Sequence, residues 1–555
     1  MAGQPRAGGR VLVDQLIAQG VERLTCVPGE SYLAVLDALH DAAIDVLVCR
    51  QEGGAAMMAE AYGKLTGKPG ICMVTRGPGA TNASAGVHVA AQDSTPMILF
   101  IGQVARDMVE REAFQEVDYK RFFGDMAKWV VEIRDAARIP ELVARAFRVA
   151  QQGRPGPVVV ALPEDMLLDE VDVPDAPRVE PVEVHPGPED MAGLGRMIGE
   201  AERPLMIVGG TRWTPSARDR LVAWSERSRV PVATSFRRAH LFPADHPHYA
   251  GDVGIGPNPR LASRVREADL LLLVGARMSE MPSSSYTLLD IPVPAQRLVH
   301  VHPDAGELGR VYQPRLAIQA SPVPFCAALE GVEAAAPQGL AAADHAAYLD
   351  WSEAPRPLPG AFQLGQAIVW LRERLGPEGI ICNGAGNFAT WIHRYYRFRE
   401  FGTQLAPTSG SMGYGLPAAV MAKRHCPDRI VVAVAGDGDV MMTIQEFATA
   451  VQYRIPMIVV VADNGMYGTI RMHQEREYPG RVSATHLVNP DFAALARAFG
   501  GHGERIERTE DFAAAFERAL ASGLPALLHC PVDPQALTPA MTLDAIREKA
   551  LAGRG

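Results

Sequence analysis

Long apolar runs are missing from this chain of 555 residues: stretches such as Leu270 to Val274 and Ile455 to Ala462 fall far short of a bilayer's thickness. Met1 to Arg10 is polar and Gly-rich, without the apolar segment of a signal peptide. Cysteine is scarce: seven residues (Cys26, Cys49, Cys72, Cys326, Cys382, Cys426, Cys530) are scattered, odd in number and without zinc-ligand spacing. They read as reduced core residues, which together with the other absences predicts a cytoplasmic protein with no membrane partner. Runs of like charge are missing too. The net charge of -10 is spread along the chain, and no basic patch offers a footprint for nucleic acid.

What is present is 48% apolar and 21% charged residues, the balance of a globular enzyme, in a chain too long for one core. Strand and helix patterns alternate. Strands are expected at Leu24 to Val27, Val46 to Cys49, Gly70 to Thr75, Met97 to Gly102 and Val158 to Leu162, with helices near Val11 to Gln19, from Tyr32, and at Gly53 to Leu65. A Pro- and acid-rich connector follows, then strands at Pro204 to Gly209, Val230 to Thr234, Leu270 to Val274 and Arg297 to Val301, and an Ala- and Pro-rich linker ending at Pro359. The fold class predicted is α/β, with three parallel-sheet domains at 1–175, 190–335 and 360–535 and a polar helical tail at 536–555.

The stretch Val431 to Gly468 carries the chemistry. Two apolar strands, Ile430 to Ala435 and Ile455 to Ala462, stop at Gly436-Asp437-Gly438 and Asp463-Asn464-Gly465, and helical spacing lies between them at Met441, Ile444, Phe447, Ala448 and Val451. Open parallel sheets bind ligands at such carboxyl ends. Mg2+ wants hard oxygen ligands, which Asp437 and Asn464 can supply, while the glycines let backbone approach a diphosphate. A strand followed by a tight turn is the plain alternative.

GDG followed by 25 residues and Asn resembles the thiamine diphosphate motif of the acetolactate synthase and pyruvate oxidase family. The segments PGES, RQEGGAAMMAEAYGKLTGKPG, GPGATN, FQEVD and GRPGPVVVALPEDM extend the likeness over nearly the whole chain. The resemblance implies pyrimidine-binding, central and diphosphate-binding domains, in that order. It implies thiamine diphosphate and Mg2+ as cofactors, the metal held by Asp437, Asn464 and the backbone carbonyl of Met466. Gly29, Asn82, Asn387, Ser411, Gly436, Gly438, Tyr467 and Gly468 fall at cofactor-binding positions, and the Gly77 to Asn82 turn would sit against the aminopyrimidine.

Glu52 matches the glutamate that hydrogen-bonds N1' of the aminopyrimidine and activates the cofactor. Its neighbours Cys49 and Gly53 to Met58 are expected to desolvate it. The plain reading is an acidic residue in the first turn of a helix. Met412, in SGSMGYGLPAA, matches the bulky side chain under the thiazolium; otherwise it reads as core. Phe114, Gln115, Lys128, Met281 and His473 match substrate-pocket positions, Gln115 and His473 being catalytic candidates.

The chain also departs from the family. Phe388 replaces a histidine beside Asn387. Arg277-Met278-Ser279-Glu280-Met281 stands for Arg-Phe-Asp-Asp-Arg, and methionine cannot pair with an acceptor's carboxylate as the second arginine does. His473 stands where a tryptophan selects the acceptor. FAD is left open: Gly209-Gly210, Gly275-Ala276-Arg277 and Val301 to Asp304 match its site, but the Asp-Asp is missing.

The activity implied is decarboxylation of a small-molecule 2-oxo acid to an enamine, followed by carboligation. The alternatives are a non-ligating decarboxylase or C–C lyase, with His473 as proton donor, and a non-catalytic nucleotide-binding protein. The family's assembly implies a homodimer or homotetramer, in which Glu52 of one chain serves a cofactor held by Asp437 and Asn464 of another.

Overall fold

Short β-branched runs bounded by Gly and Pro form the strands of three six-stranded sheets in the computed structural model, and every pairing within those sheets is parallel. Residues 4–553 are described; Met1 to Gly3 and Arg554 to Gly555, the ends of the expected N-terminal segment and tail, lie outside them. Among the described residues no helix is long and apolar enough to cross a membrane, and none of the seven cysteines is in a disulfide.

The chain packs into two compact units, one running up to Val182 and including Pro407–His425 and Thr443–Ile455, the other made of Glu183–Ala406, Cys426–Met442 and Pro456 onward. The sheet of the first unit contains β1 (Arg23–Cys26), β2 (Asp45–Val48), β3 (Gly70–Val74), β4 (Met97–Gln103), β5 (Trp129–Glu132) and β6 (Pro157–Pro163), in the order β2-β1-β3-β4-β6-β5. Every residue of β4 and β6 is buried, as expected of parallel strands covered on both faces. Two helices, α1 (Glu52–Thr66) and α2 (Pro78–Asp93), carry the first unit's candidate residues. They pack backbone to backbone at Gly86, where a Cβ would fall 2.4 Å from Cβ of Ala56.

The expected Gly77 to Asn82 turn is the opening of α2: Gly77 has φ 59° and Pro78 occupies the first turn, where its ring pre-sets the helical φ. Two further helices, α3 (Gly415–His425) and α4 (Glu446–Gln452), also belong to this unit. Glu446 is buried and accepts from the N–H groups of Arg50 (3.1 Å) and Gln51 (3.0 Å), just before α1, and the Arg424 guanidinium pairs both oxygens of Asp45 at 2.9 Å.

The second unit holds two sheets. One contains β7 (Pro204–Val208), β8 (Val232–Ser235), β9 (Tyr249–Val253), β10 (Leu270–Val274), β11 (Arg297–His302) and β12 (Leu316–Gln319), in the order β9-β8-β7-β10-β11-β12. The other contains β13 (Ile380–Asn383), β14 (Gln404–Leu405), β15 (Val431–Gly436), β16 (Ile458–Asp463), β17 (His502–Arg505) and β18 (Ala526–Pro531), in the order β14-β13-β15-β16-β18-β17.

The helix expected from Met441 to Val451 is divided: a helical turn spans Asp437–Val440, and α4 begins only at Glu446. Met441, one of the residues in that helical spacing, is exposed, so the apolar pattern included a surface residue. β5, β9 and β12, absent from the expectation, are edge strands; β5 is half-buried throughout and lacks a continuous apolar signal. The tail forms α6 (Leu543–Ala552), packed on α5 (Gly468–Glu477) through Leu543, Ile546 and Met472.

Candidate active site

In the second unit, Gly436 of β15 stands in register with Ala462 of β16, so Asp437 and Asp463 leave neighbouring strands side by side, with Asn464 next. Asp437 is 3% exposed. Nδ2 of Asn489 lies 2.7 Å from Oδ2 of Asp437 and 2.8 Å from Oδ1 of Asp463, bridging the two carboxylates. Nε2 of His529, on β18, lies 2.9 Å from the other oxygen of Asp463. Burial, with the charge of Asp463 adding to it, pushes the Asp437 carboxyl up to about 6 against the opposing Asn489 bond. Burial also acts to raise Asp463, but the bonds from His529 and Asn489 outweigh it and hold this group below its ordinary value. Such a pair suits a cation, which would neutralise the repulsion.

The loop after β16 is fixed by backbone bonds. Gly465 has φ +67°, its N–H donates to Oδ1 of Asp463 (3.0 Å), and the N–H of Met466 donates to Oδ1 of Asn464 (3.2 Å). Leu487 N–H donates to the Gly465 carbonyl (2.8 Å) and Tyr467 N–H to the Thr485 carbonyl (2.9 Å), with Met466 opposite His486 between them. Met466 thus takes the non-hydrogen-bonded place of an antiparallel pair, where a residue's own carbonyl turns away from the partner strand. The Asp437 carboxylate, the Asn464 amide oxygen and the Met466 carbonyl make a hard-oxygen donor set that fits Mg2+.

Aromatic rings lie over the motif glycines: a Cβ on Gly436 would meet the Phe388 ring at 3.0 Å and one on Gly438 the Tyr467 ring at 2.7 Å. Gly468 leaves room for Asn464 and Leu537. Oδ1 of Asn387 accepts from Oγ1 of Thr469 (3.0 Å) and its Nδ2 contacts Sδ of Met472 (3.6 Å), which ties this amide to α5. His473, on the same helix, is exposed. Met281 is half-buried and Met278, at φ 46°, fully buried. The Gly209-Gly210 and Gly275 turns are tight because they meet each other: a Cβ on Gly210 would fall 2.2 Å from the Gly275 carbonyl oxygen.

In the first unit, Glu52 opens α1 and accepts from Nδ2 of Asn82 at 3.0 Å. The structure thus brings these two sequence candidates together. Residues 53 to 59 are buried as expected, but Glu52 itself is half-buried and held by an amide. Gln115, at φ 65°, presses on Gly77, where a Cβ would fall 2.7 Å from its own, and its Oε1 is buried without a hydrogen-bond partner. Phe114 is 75% exposed. Lys128 is exposed and donates to the Gln152 carbonyl at 2.6 Å. Gly29 packs tightly on Thr75, where a Cβ would fall 2.4 Å from the Thr75 Cβ. Ser411 and Met412 are half-buried in the loop before α3.

Three polar residues, Asn489, His529 and Asp439, escaped sequence reasoning, while Asp463 belongs to the strand-end cluster that the sequence marks. Asn489, Asp463 and His529 frame Asp437, and buried Asp439 accepts from the N–H of Ala385 at 3.0 Å. His529 alone carried a local signal, a histidine inside the apolar strand ALLHCP.

Comparison with known proteins follows the same lines. The pattern described as "Thiamine pyrophosphate enzyme, N-terminal TPP binding domain" matches residues 6–122, its central domain matches 192–329, and its C-terminal TPP binding domain matches 384–530. The chain is similar to the acetolactate synthase isozyme 2 large subunit of Escherichia coli (strain K12), 33% identical over 538 residues and 95% of each chain. It is 33% identical over 555 residues to the acetolactate synthase large subunit of Parasynechococcus marenigrum, covering 96% of this chain and 88% of that one. The corresponding protein of Corynebacterium glutamicum is 30% identical over 537 residues, 93% of this chain and 85% of its own.

Proposed function

Because the chain belongs to the thiamine pyrophosphate enzymes, as an acetolactate synthase-like carboligase/lyase, we propose that it decarboxylates a small 2-oxo acid and joins the remaining fragment to a carbonyl acceptor. The observation that carries this reading is the placing of Asp437 and Asn464 at the ends of adjacent parallel strands, with the Met466 carbonyl turned away from its partner strand beside them. These three groups would hold Mg2+, and through it a diphosphate. Thiamine diphosphate bound there supplies the acyl-anion chemistry that lets a 2-oxo acid lose carbon dioxide.

Glu52 would be the hydrogen-bond partner of the pyrimidine nitrogen, with Asn82 orienting its carboxyl group through the 3.0 Å bond. Met412 would support the thiazolium ring of the bound cofactor. Gln115, whose Oε1 lacks a partner, and Phe114 face the substrate. Met281 offers no charge to an acceptor's carboxylate, so the acceptor end of the reaction is one place where this chain differs from the family's pattern. In the assembled enzyme, a dimer or tetramer, Glu52 of one chain serves the cofactor of another.

Mass spectrometry of products from pyruvate with added thiamine diphosphate and Mg2+ tests the reading. Acetolactate or acetoin is expected; acetaldehyde as the sole product would overturn carboligation in favour of simple decarboxylation. Glu52→Gln should lower turnover by about a hundredfold or more while thiamine diphosphate still binds.

A further inference from the structure

The first unit buries an ionic cluster that the proposed chemistry does not use. Glu60 and Lys64 lie on α1, two and three helical steps of four beyond Glu52, and Asp93 ends α2. The side chains of Glu60 and Asp93 are fully buried and that of Lys64 is 5% exposed. Nζ of Lys64 lies 3.2 Å from Oε1 of Glu60 and pairs with Oδ2 of Asp93. Oγ1 of Thr95 donates to Glu60 at 2.6 Å.

Further partners come from one loop. The N–H of Thr408 donates to Oδ1 of Asp93 at 2.7 Å, as does its hydroxyl, and the Tyr414 hydroxyl donates to Oε2 of Glu60. Lys64 also lies over the Tyr414 ring, 4.8 Å from its centroid. The Pro407 to Tyr414 loop is therefore pinned at both ends, and a 2.6 Å bond from Oγ1 of Thr443 to the Gly413 carbonyl adds a third point. Met412 lies between the pins, flanked by Gly410 and Gly413 at φ +69° and +80°.

Stability alone is a poor account of this arrangement. Apolar side chains of the same volume would hold two helices together at least as well as a buried ion cluster. Directional bonds to buried charges instead fix where a loop lies, and a fully satisfied network is rigid. Small displacements of a group beside reacting atoms are costly to rate. We propose that Glu60, Lys64 and Asp93 are positioning residues, which set the place of the Pro407 to Tyr414 loop and thereby of Met412 beneath the cofactor. The proposal rests on the reading of Met412 given above.

Tyr414→Phe and the double variant Thr408→Val/Tyr414→Phe remove loop hydroxyls and leave the three charges in place. Hydrogen exchange of peptides covering residues 407–414 is expected to quicken in both. In the presence of Mg2+, the dissociation constant for thiamine diphosphate, followed by calorimetry, should rise roughly tenfold in the double variant. The KM for pyruvate should stay level and the melting temperature of Tyr414→Phe should move by a few degrees at most. Unchanged exchange would overturn the anchoring, and faster exchange with unchanged cofactor affinity and kcat would overturn the positioning role. Met412→Ala separates this from the underlying reading: if it leaves cofactor affinity and kcat unchanged, the assignment of Met412 fails, whatever the exchange data show.

Discussion

Asn489 donates both N–H groups of its amide nitrogen to bridge two carboxylates, and it is the residue through which the strand-end site can be tested most directly. Replacing it with leucine keeps the volume and removes the donor. Partners that orient a metal ligand typically contribute ten- to a hundredfold to affinity, so Asn489→Leu should weaken Mg2+ binding, titrated in the presence of thiamine diphosphate, by about tenfold or more. Affinity equal to that of the parent would mean that Asp437 is oriented by its backbone alone.

Asn489 also marks the limit of what the sequence discloses. Asp437 and Asn464 are legible because strand geometry puts metal-binding oxygens at a fixed offset from two apolar runs. Asn489 and His529 reach the same carboxylates across separations of 52 and 66 residues, and no local pattern encodes a bond made only when β15, β16 and β18 are assembled. Glu52 is legible through its motif, but its partner Asn82 required α2 to begin where the sequence suggested a turn.

At the scale of elements, buried parallel strands such as β10 could be read directly because their apolar runs are unbroken, whereas the edges β5, β9 and β12 could not. The tail was read as polar and helical; its docking was invisible, because it depends on one buried carboxylate of another helix. Glu475 of α5 receives both arms of the Arg547 guanidinium from α6, at 2.7 and 2.8 Å, together with Arg471 and the N–H of Gly480. The Arg547 bond, chiefly, holds Glu475 well down, at about 2.

A carboxyl group depressed in the fold stabilises the protein fully above its unfolded value of about 4.3, and that contribution disappears as the pH falls through about 2. Glu475→Gln should therefore cost about 2 kcal/mol near neutral pH. The difference in stability between parent and variant, measured by calorimetry or denaturant titration, should shrink steadily from about pH 5 to pH 2. A difference that stays constant over that range would show that packing of Leu543 and Ile546, and not the ionised carboxylate, holds α6 in place.

For the whole molecule, the proposed sharing of the site between chains makes a prediction that no single-chain variant can test. Glu52 belongs to the first compact unit and Asp437 with Asn464 to the second. If each cofactor draws on the two units of one chain, mixing Glu52→Gln chains with Asp437→Asn chains yields only dead sites, since every chain carries one lesion. If each cofactor draws Glu52 from one chain and Asp437 from another, a mixed dimer has one site with both lesions and one with neither. Co-expressed variants with separate affinity tags, purified in succession to select the mixed species, should then recover roughly half the parent's turnover, while each variant alone stays inactive. Recovery would establish that one active site draws on two chains. Its failure, with mixed dimers isolated and thiamine diphosphate bound, would place Glu52 and Asp437 of one chain at one cofactor.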